Sequence, residues 1–367
     1  MASSPAAMAV ADTVSSPPAL GFVPVAAHFQ LFDRLVQLNR PSTAEEVQDT
    51  YINSLGEGNE EFKPNLPLFQ DTLFAMACLG FVDVSSDELY SPNDITRHLV
   101  TTPSALHGCL HFTREALLGA AFVMRKLEAN NFEYPFKEQE TPIQHAYKLM
   151  GQEELSKQHT YSIMAAEGRM PSFNKFMVGK FMKTSTMPER VKKLGYDLQH
   201  ILSDPEVSTS VAMVDIGGGS GELLLEVKET FPYLKASELV VQEFNDAIVD
   251  VPGITLATWD FKGNSPQPIK GALIYNLGHV VHNLPDLEAV NLLQKISEAM
   301  ANYSRLLIHE FSKNVNNGKL HTTMVVLFGG RHRTPSEWHQ LAALAGLRVT
   351  FEAYPSFGAG LIEMRKL

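Results

Sequence analysis

The sequence predicts a two-part α/β chain, with a helical first half and a doubly wound second half. Two patterns and one loop carry this. Before about residue 200, apolar residues recur at three- and four-residue intervals, the period of one helix face. From Val211 onward, short apolar runs alternate with helical stretches, which implies parallel strands joined by crossover helices. The run Asp215-Ile-Gly-Gly-Gly-Ser-Gly221 stands at the first strand–helix joint, where such sheets bind ligands.

The chain has 367 residues, 44% of them hydrophobic and 19% charged. That is material for two or three ordinary soluble domains. Thirty basic against 41 acidic residues give a net charge of −11. This balance argues against nucleic acid, which needs a basic face to neutralise phosphates, and against anionic membrane surfaces. Two cysteines, Cys78 and Cys109, exclude a disulfide framework and a cysteine-based structural zinc site, and a cytoplasmic location is expected. No run approaches the ~18 apolar residues of a membrane span. Residues 1–25 are rich in Ala, Ser and Pro without Lys or Arg; they read as a flexible tail.

Residues 26–195 read as a helical domain. Phe29–Leu38 has helical spacing, Ser42-Thr-Ala-Glu45 fits a capping box, and Leu66–Leu79 repeats an apolar face. Gly80–Tyr90 alternates about a polar turn and predicts a hairpin. Helices followed by a hairpin give a winged-helix outline. Between residues 40 and 95 only Arg40 and Lys63 are basic, so DNA contact is excluded and a dimerisation element is favoured. Ser104–Ala129 and Thr141–Phe181 continue the helical pattern, with breaks expected at Gly151 and Pro171. His107 and His111 share a helix face at a spacing that suits metal, but no carboxylate lies close in sequence; packing or pocket lining is the stronger reading, and no metal is expected. Met164, Met170, Met177 and Met182, with Phe173, Phe176 and Phe181, read as a core or an adaptable apolar pocket.

Residues 196–367 carry the alternation. Strands are expected at Val211–Val214, Glu238–Gln242, Thr255–Thr258, Gly271–Tyr275, Ser304–His309, Arg348–Tyr354 and Gly360–Met364. Helices are expected at Glu222–Thr230, Asp286–Met300 and Glu337–Ala345. In the loop, Gly217, Gly218, Gly219 and Gly221 permit a sharp turn and close backbone approach to a ligand. Glu243 ends the second strand, where a carboxylate grips ribose hydroxyls. Asp260 and Phe261 end the third, where an acid can take an adenine amino group and a ring can stack. Asp215 beside the loop would repel a pyrophosphate but suits a sulfonium and an ammonium. S-adenosyl-L-methionine therefore fits better than a dinucleotide.

These residues carry a resemblance. Val214–Gly221, Gln242-Glu243, Asp260-Phe261, Val281-His-Asn-Leu-Pro-Asp286 and Arg333-Thr-x-x-Glu-Trp338 resemble the class I S-adenosylmethionine-dependent O-methyltransferases, in particular the caffeate and hydroxyindole type of fungal secondary metabolism. The helical half resembles that family's winged-helix dimerisation domain. The resemblance implies a Rossmann-like methyltransferase domain, a homodimer and a small apolar substrate. It implies His282 as the base that deprotonates a substrate hydroxyl, oriented by Glu310. It also implies a substrate wall that includes His107, Phe173 and Met177.

Three positions depart from the family pattern. Asn283 stands where the family has Asp, His332 where it has Glu, and His321-Thr-Thr-Met324 lacks the usual Asp. The family also contains pericyclases that bind S-adenosylmethionine without consuming it and steer dehydration, Diels–Alder or Alder-ene cyclisations of 2-pyridone-type intermediates. Polar donors at His282, Asn283 and His332 would suit that chemistry. Methyl transfer is the leading expectation and the pericyclase the alternative.

Overall fold

Among the described residues, nine strands form two sheets. β1 (Asp83–Val84) and β2 (Tyr90–Ser91) form a separate two-stranded antiparallel sheet. The rest are β3 (Met213–Ile216), β4 (Leu239–Glu243), β5 (Thr255–Thr258), β6 (Ile274–Gly278), β7 (Arg305–Phe311), β8 (Leu347–Ala353) and β9 (Ala359–Lys366). They form one sheet of order β5-β4-β3-β6-β7-β9-β8. The first five are parallel; β9 runs antiparallel to both neighbours. Strand order reverses about β3, so the crevice at its carboxyl end is the ligand-binding position of such a sheet.

This computed structural model describes residues 4–56, 64–179, 185–244 and 251–367. It divides into two units, Met1–Ala121 with Tyr161–Phe181, and Phe122–Thr160 with Met182–Leu367. Residues 122–160 and 182–195, which the sequence pattern groups with the helical half, therefore cluster with the sheet.

In the second unit, strand periodicity sorts side chains onto two covered faces. Val214, Ile216, Val240, Tyr275, Leu277, Leu306 and Ile308 pack beneath helices Asp286–Ala299 and Pro335–Leu344. Met213, Leu239, Val241, Ile274 and Leu307 pack against helices Glu222–Thr230 and Met187–Lys193. Burial on both faces is why these strands read as unbroken apolar runs.

In the first unit, helices Leu31–Leu38, Ala44–Ser54 and Leu66–Cys78 precede the β1–β2 pair and share one core built on Phe32, Leu35, Val47, Phe69 and Leu73. The capping box is one residue later than expected. Thr43 Oγ1 accepts from the Glu46 N–H at 3.2 Å and Glu46 accepts from the Thr43 N–H at 2.8 Å. Ser42 is instead fully buried and exchanges both backbone hydrogen bonds with Tyr90 of β2.

Other expectations are corrected. The expected flexible tail carries an exposed helix, Pro5–Leu20, capped by Ser4 and with no buried residue. Pro171 does not break a helix; the preceding one ends at Ala166, followed by Gly168 at φ 69°, and Pro171 lies in the first turn of Met170–Gly179. The long stretch from Ser104 divides into Pro103–His111, a π-helical turn Phe112–Ala116, Leu117–Ala121 and Val123–Ala129. β3 begins two residues late and β6 three, after Gly271 turns at φ 63°. Helix Gly318–Phe328 has no sequence counterpart; its leading glycine and Thr-Thr and Val-Val pairs are weak helix formers. Among the described residues no helix is long and apolar enough to cross a membrane.

Candidate active site

The carboxyl ends of β3, β4 and β5 bring the sequence-predicted cofactor residues together. Gly217, Gly219 and Gly221 have φ values of 67°, 60° and 84°, the left-handed region open to glycine. A Cβ on Gly218 would lie 2.5 Å from Asp215 Oδ2 and 2.7 Å from Val241 Cγ2, so the loop is seated directly on the strand ends. Above Gly219 the nearest atom to an added Cβ is 3.9 Å away, which leaves backbone for a ligand to approach.

Two acids brace this loop. Asp215 is buried under it and accepts from Asn276 Nδ2 at 2.7 Å. Glu243 Oε1 accepts the Gly219 N–H at 2.7 Å. Burial raises the Glu243 carboxyl above its ordinary range, against that backbone hydrogen bond. Asp260 Oδ1 accepts the Lys262 N–H at 3.0 Å, and Phe261 packs edge-on against Trp259. Two carboxylates thus touch a glycine cradle whose seven residues include no basic side chain, and Asp260 lies just past the neighbouring strand β5. That donor set fits a ligand bearing hydroxyls and positive charge, and it is unsuited to pyrophosphate.

Next to this crevice, β6 and β7 run parallel with Gly278 opposite His309. Their ends bring His282 to Glu310. The His282 backbone N–H donates to Glu310 Oε1 at 3.1 Å, and Nδ1 lies 2.5 Å from Oε2. The Glu310 side chain is 1% exposed and that of His282 13%. An ionised carboxylate only accepts, so Nδ1 carries the proton and Nε2 keeps its lone pair. Asn283 follows in the same short 3-10 turn, Val281–Asn283.

His332 does not take over the role of the missing acid. Its ring centroid lies 5.6 Å from that of His282 and 5.7 Å from Phe311, on which it stacks. The His332 backbone N–H donates to His321 Nδ1 at 3.1 Å, and its own Nδ1 has no partner among the described residues. Burial, then His282, His321 and Arg333, lower its pKa to about 2. It stays neutral at any working pH.

Sequence reasoning missed what fixes this loop. Arg333 is fully buried and donates to Asp286 Oδ1 through Nε at 3.0 Å and Nη2 at 2.8 Å. It also donates to the carbonyls of Val281 and Leu284, each at 2.9 Å. One side chain thus ties down the turn that carries His282. Gly330 permits its approach: a Cβ there would lie 2.1 Å from the His282 carbonyl oxygen. The Arg-Thr-x-x-Glu-Trp motif was the available signal, but a long-range clamp has no sequence spacing.

The predicted pocket residues lie in the first unit. His107 Nδ1 is 2.8 Å from Ser172 Oγ, and the neighbouring Phe173 packs 5.0 Å from the His111 ring. His111 Nδ1 lies 3.1 Å from Glu115 Oε2, whose other oxygen accepts from Arg169 at 2.9 Å. So the carboxylate expected to be lacking is Glu115, one turn on, and His107 and His111 serve separate partners rather than one metal. Met177 is half-buried; Phe181 and Met182 lie outside the described residues.

A family model for an O-methyltransferase domain matches residues 151–348. The O-methyltransferase bfoE of Aspergillus brasiliensis is 51% identical over 362 residues, covering 98% of this chain and 95% of that protein. The chain belongs to the O-methyltransferase family. Its cofactor is S-adenosylmethionine, which the donor set around the glycine cradle fits. Among solved structures, OxaC in complex with SAH and oxaline matches with TM-score 0.80 at 19% identity, covering 100% of this chain and 88% of that one. A pericyclic reaction enzyme matches with TM-score 0.78 at 21% identity, covering 100% and 90%. At those identities the two structures show the shared fold alone.

The depressed His332 pKa has a consequence for stability. The unfolded chain takes up a proton on this residue below pH ~6.5 while the folded chain does not until about pH 2. Stability from this group is therefore complete above pH ~6.5 and falls with pH, by at most about 1.4 kcal/mol per unit. Denaturant unfolding of wild type and His332→Gln between pH 7.5 and pH 4.5 checks this (both values chosen to bracket the ~6.5 midpoint). The variant should lose less stability on acidification; equal slopes would exclude His332 as a source.

Proposed function

We propose that this enzyme methylates a hydroxyl of an apolar small-molecule secondary metabolite, polyketide-like or aromatic, with His282 as general base. The contact of 2.5 Å between His282 Nδ1 and the buried Glu310 carboxylate carries the proposal. Glu310 fixes the tautomer and holds the ring, so that Nε2 is the atom that takes the hydroxyl proton. As that proton arrives, the adjacent carboxylate stabilises the imidazolium. S-adenosylmethionine, when bound, supplies an electrophilic methyl group. Asp215, Gly217, Gly218, Gly219 and Gly221 would hold its amino-acid end, Glu243 its ribose, and Asp260 and Phe261 its adenine. Asn283 and His332 would contribute neutral polar edges to the substrate side.

Two findings support methyl transfer over the pericyclase alternative. The relative at 51% identity over nearly the whole chain is named an O-methyltransferase. The base keeps a buried carboxylate, which carbonyl activation by neutral donors does not need. Incubation with methyl-deuterated S-adenosylmethionine and extracts of polyketide-producing cultures should give a product carrying the labelled methyl. His282→Ala should slow this by roughly 10²–10⁴-fold while cofactor binding persists. Isomerised or dehydrated product with the cofactor unconsumed would replace this reading with the pericyclase one.

We propose further that the enzyme is a cytoplasmic homodimer joined through its helical half. Helix Pro5–Leu20 buries none of its 16 residues and exposes Met8, Val10 and Val14. A helix of that length is marginal in water without a packed face, and a second copy would supply one. Light scattering should return twice the 40.6 kDa chain mass; removal of residues 1–20 should shift the protein toward monomer. A monomer at micromolar concentration would exclude this assembly.

A further inference from the structure

The loop that carries His282 brings a second histidine to the same carboxylate. One ligand atom each from His279, His282 and Glu310 lie within 4.8 Å of one another. Sheet register causes this: β6 ends opposite His309 of β7, so the residues just past Gly278 meet Glu310. His279 sits at φ 60°, an uncommon conformation for a residue with a Cβ, and its N–H donates to the His309 carbonyl at 3.0 Å. Its ring lies 5.8 Å from that of His282 and 5.4 Å from Phe311.

We propose that His279, His282 and Glu310 form a binding site for one divalent transition-metal ion of the zinc class. The chemistry matches. Two imidazoles and one carboxylate make a three-ligand set that leaves a fourth position open to water. Magnesium and calcium take oxygen ligands and are disfavoured at two nitrogens. Bonds of about 2.0–2.2 Å put tetrahedral ligand atoms about 3.3 Å apart. The observed cluster, within 4.8 Å, would close to that spacing on binding.

Occupancy silences the base by either route. An ion on Nδ1 leaves the proton on Nε2, and an ion on Nε2 occupies the lone pair itself. Zinc therefore competes with hydroxyl deprotonation, a consequence that rests on the general-base reading above. The site itself does not.

The test separates the two. Tag-free protein, stripped with chelator, is titrated with zinc chloride in competition with a chromophoric zinc chelator. The expected result is one ion per chain, undisturbed by millimolar magnesium. His279→Asn removes the imidazole and keeps a residue that tolerates positive φ; it should weaken zinc binding at least tenfold. Thermal unfolding confirms that the variant is folded. No stoichiometric binding, or equal binding by the folded variant, overturns the site. Zinc should also inhibit wild-type turnover, reversibly with EDTA. Binding that depends on His279 but leaves turnover untouched would uphold the site and overturn the base role of His282.

Discussion

The buried guanidinium of Arg333 is the interaction on which the reactive end of the sheet depends. A cation removed from water must be paired and its donors satisfied, or it costs several kcal/mol. Arg333 meets both demands with Asp286 and the carbonyls of Val281 and Leu284, and its guanidinium lies 5.5 Å from the Trp338 ring centre. Its carbonyl accepts from the Lys313 N–H just beyond β7. The same residue therefore joins the turn that carries His282 to the exit of the strand that carries Glu310.

The neighbouring parallel strands do the rest. β6 and β7 share a fixed register, which brings the residues just beyond them side by side. β3 and β4 do the same for the glycine cradle, which Glu243 closes by accepting the Gly219 N–H. Each half of the site is thus a pair of adjacent strand ends joined by one acid, the half-buried Glu243 in one and the buried Glu310 in the other. The cofactor crevice and the base lie on one edge because strand order reverses between β4 and β6, about β3.

Much of this was legible in sequence because it depends on local pattern. The run from Val214 to Gly221 needs only strand, glycine and helix in succession. Glu243, Asp260 and Phe261 fall at strand ends and could be placed by counting. What was hidden depends on partners far along the chain. Ser42 and Thr43 both head a capping pattern, and only the bridge to Tyr90 decides between them. Asp215 stands beside the loop in sequence, and only the fold shows that Asn276 holds its carboxylate. Arg333 has no signal that marks it as a clamp on residues about fifty positions earlier. His279 becomes a neighbour of Glu310 only through sheet register.

Glu310 is the residue at which these arguments converge. Glu310→Gln keeps the shape and removes the charge that fixes the His282 tautomer. The account predicts that its kcat for methyl transfer falls by roughly 10²-fold or more, with S-adenosylmethionine binding by calorimetry changed less than about threefold because Glu310 lies outside the glycine cradle. Wild-type turnover in a folded Glu310→Gln protein would contradict it.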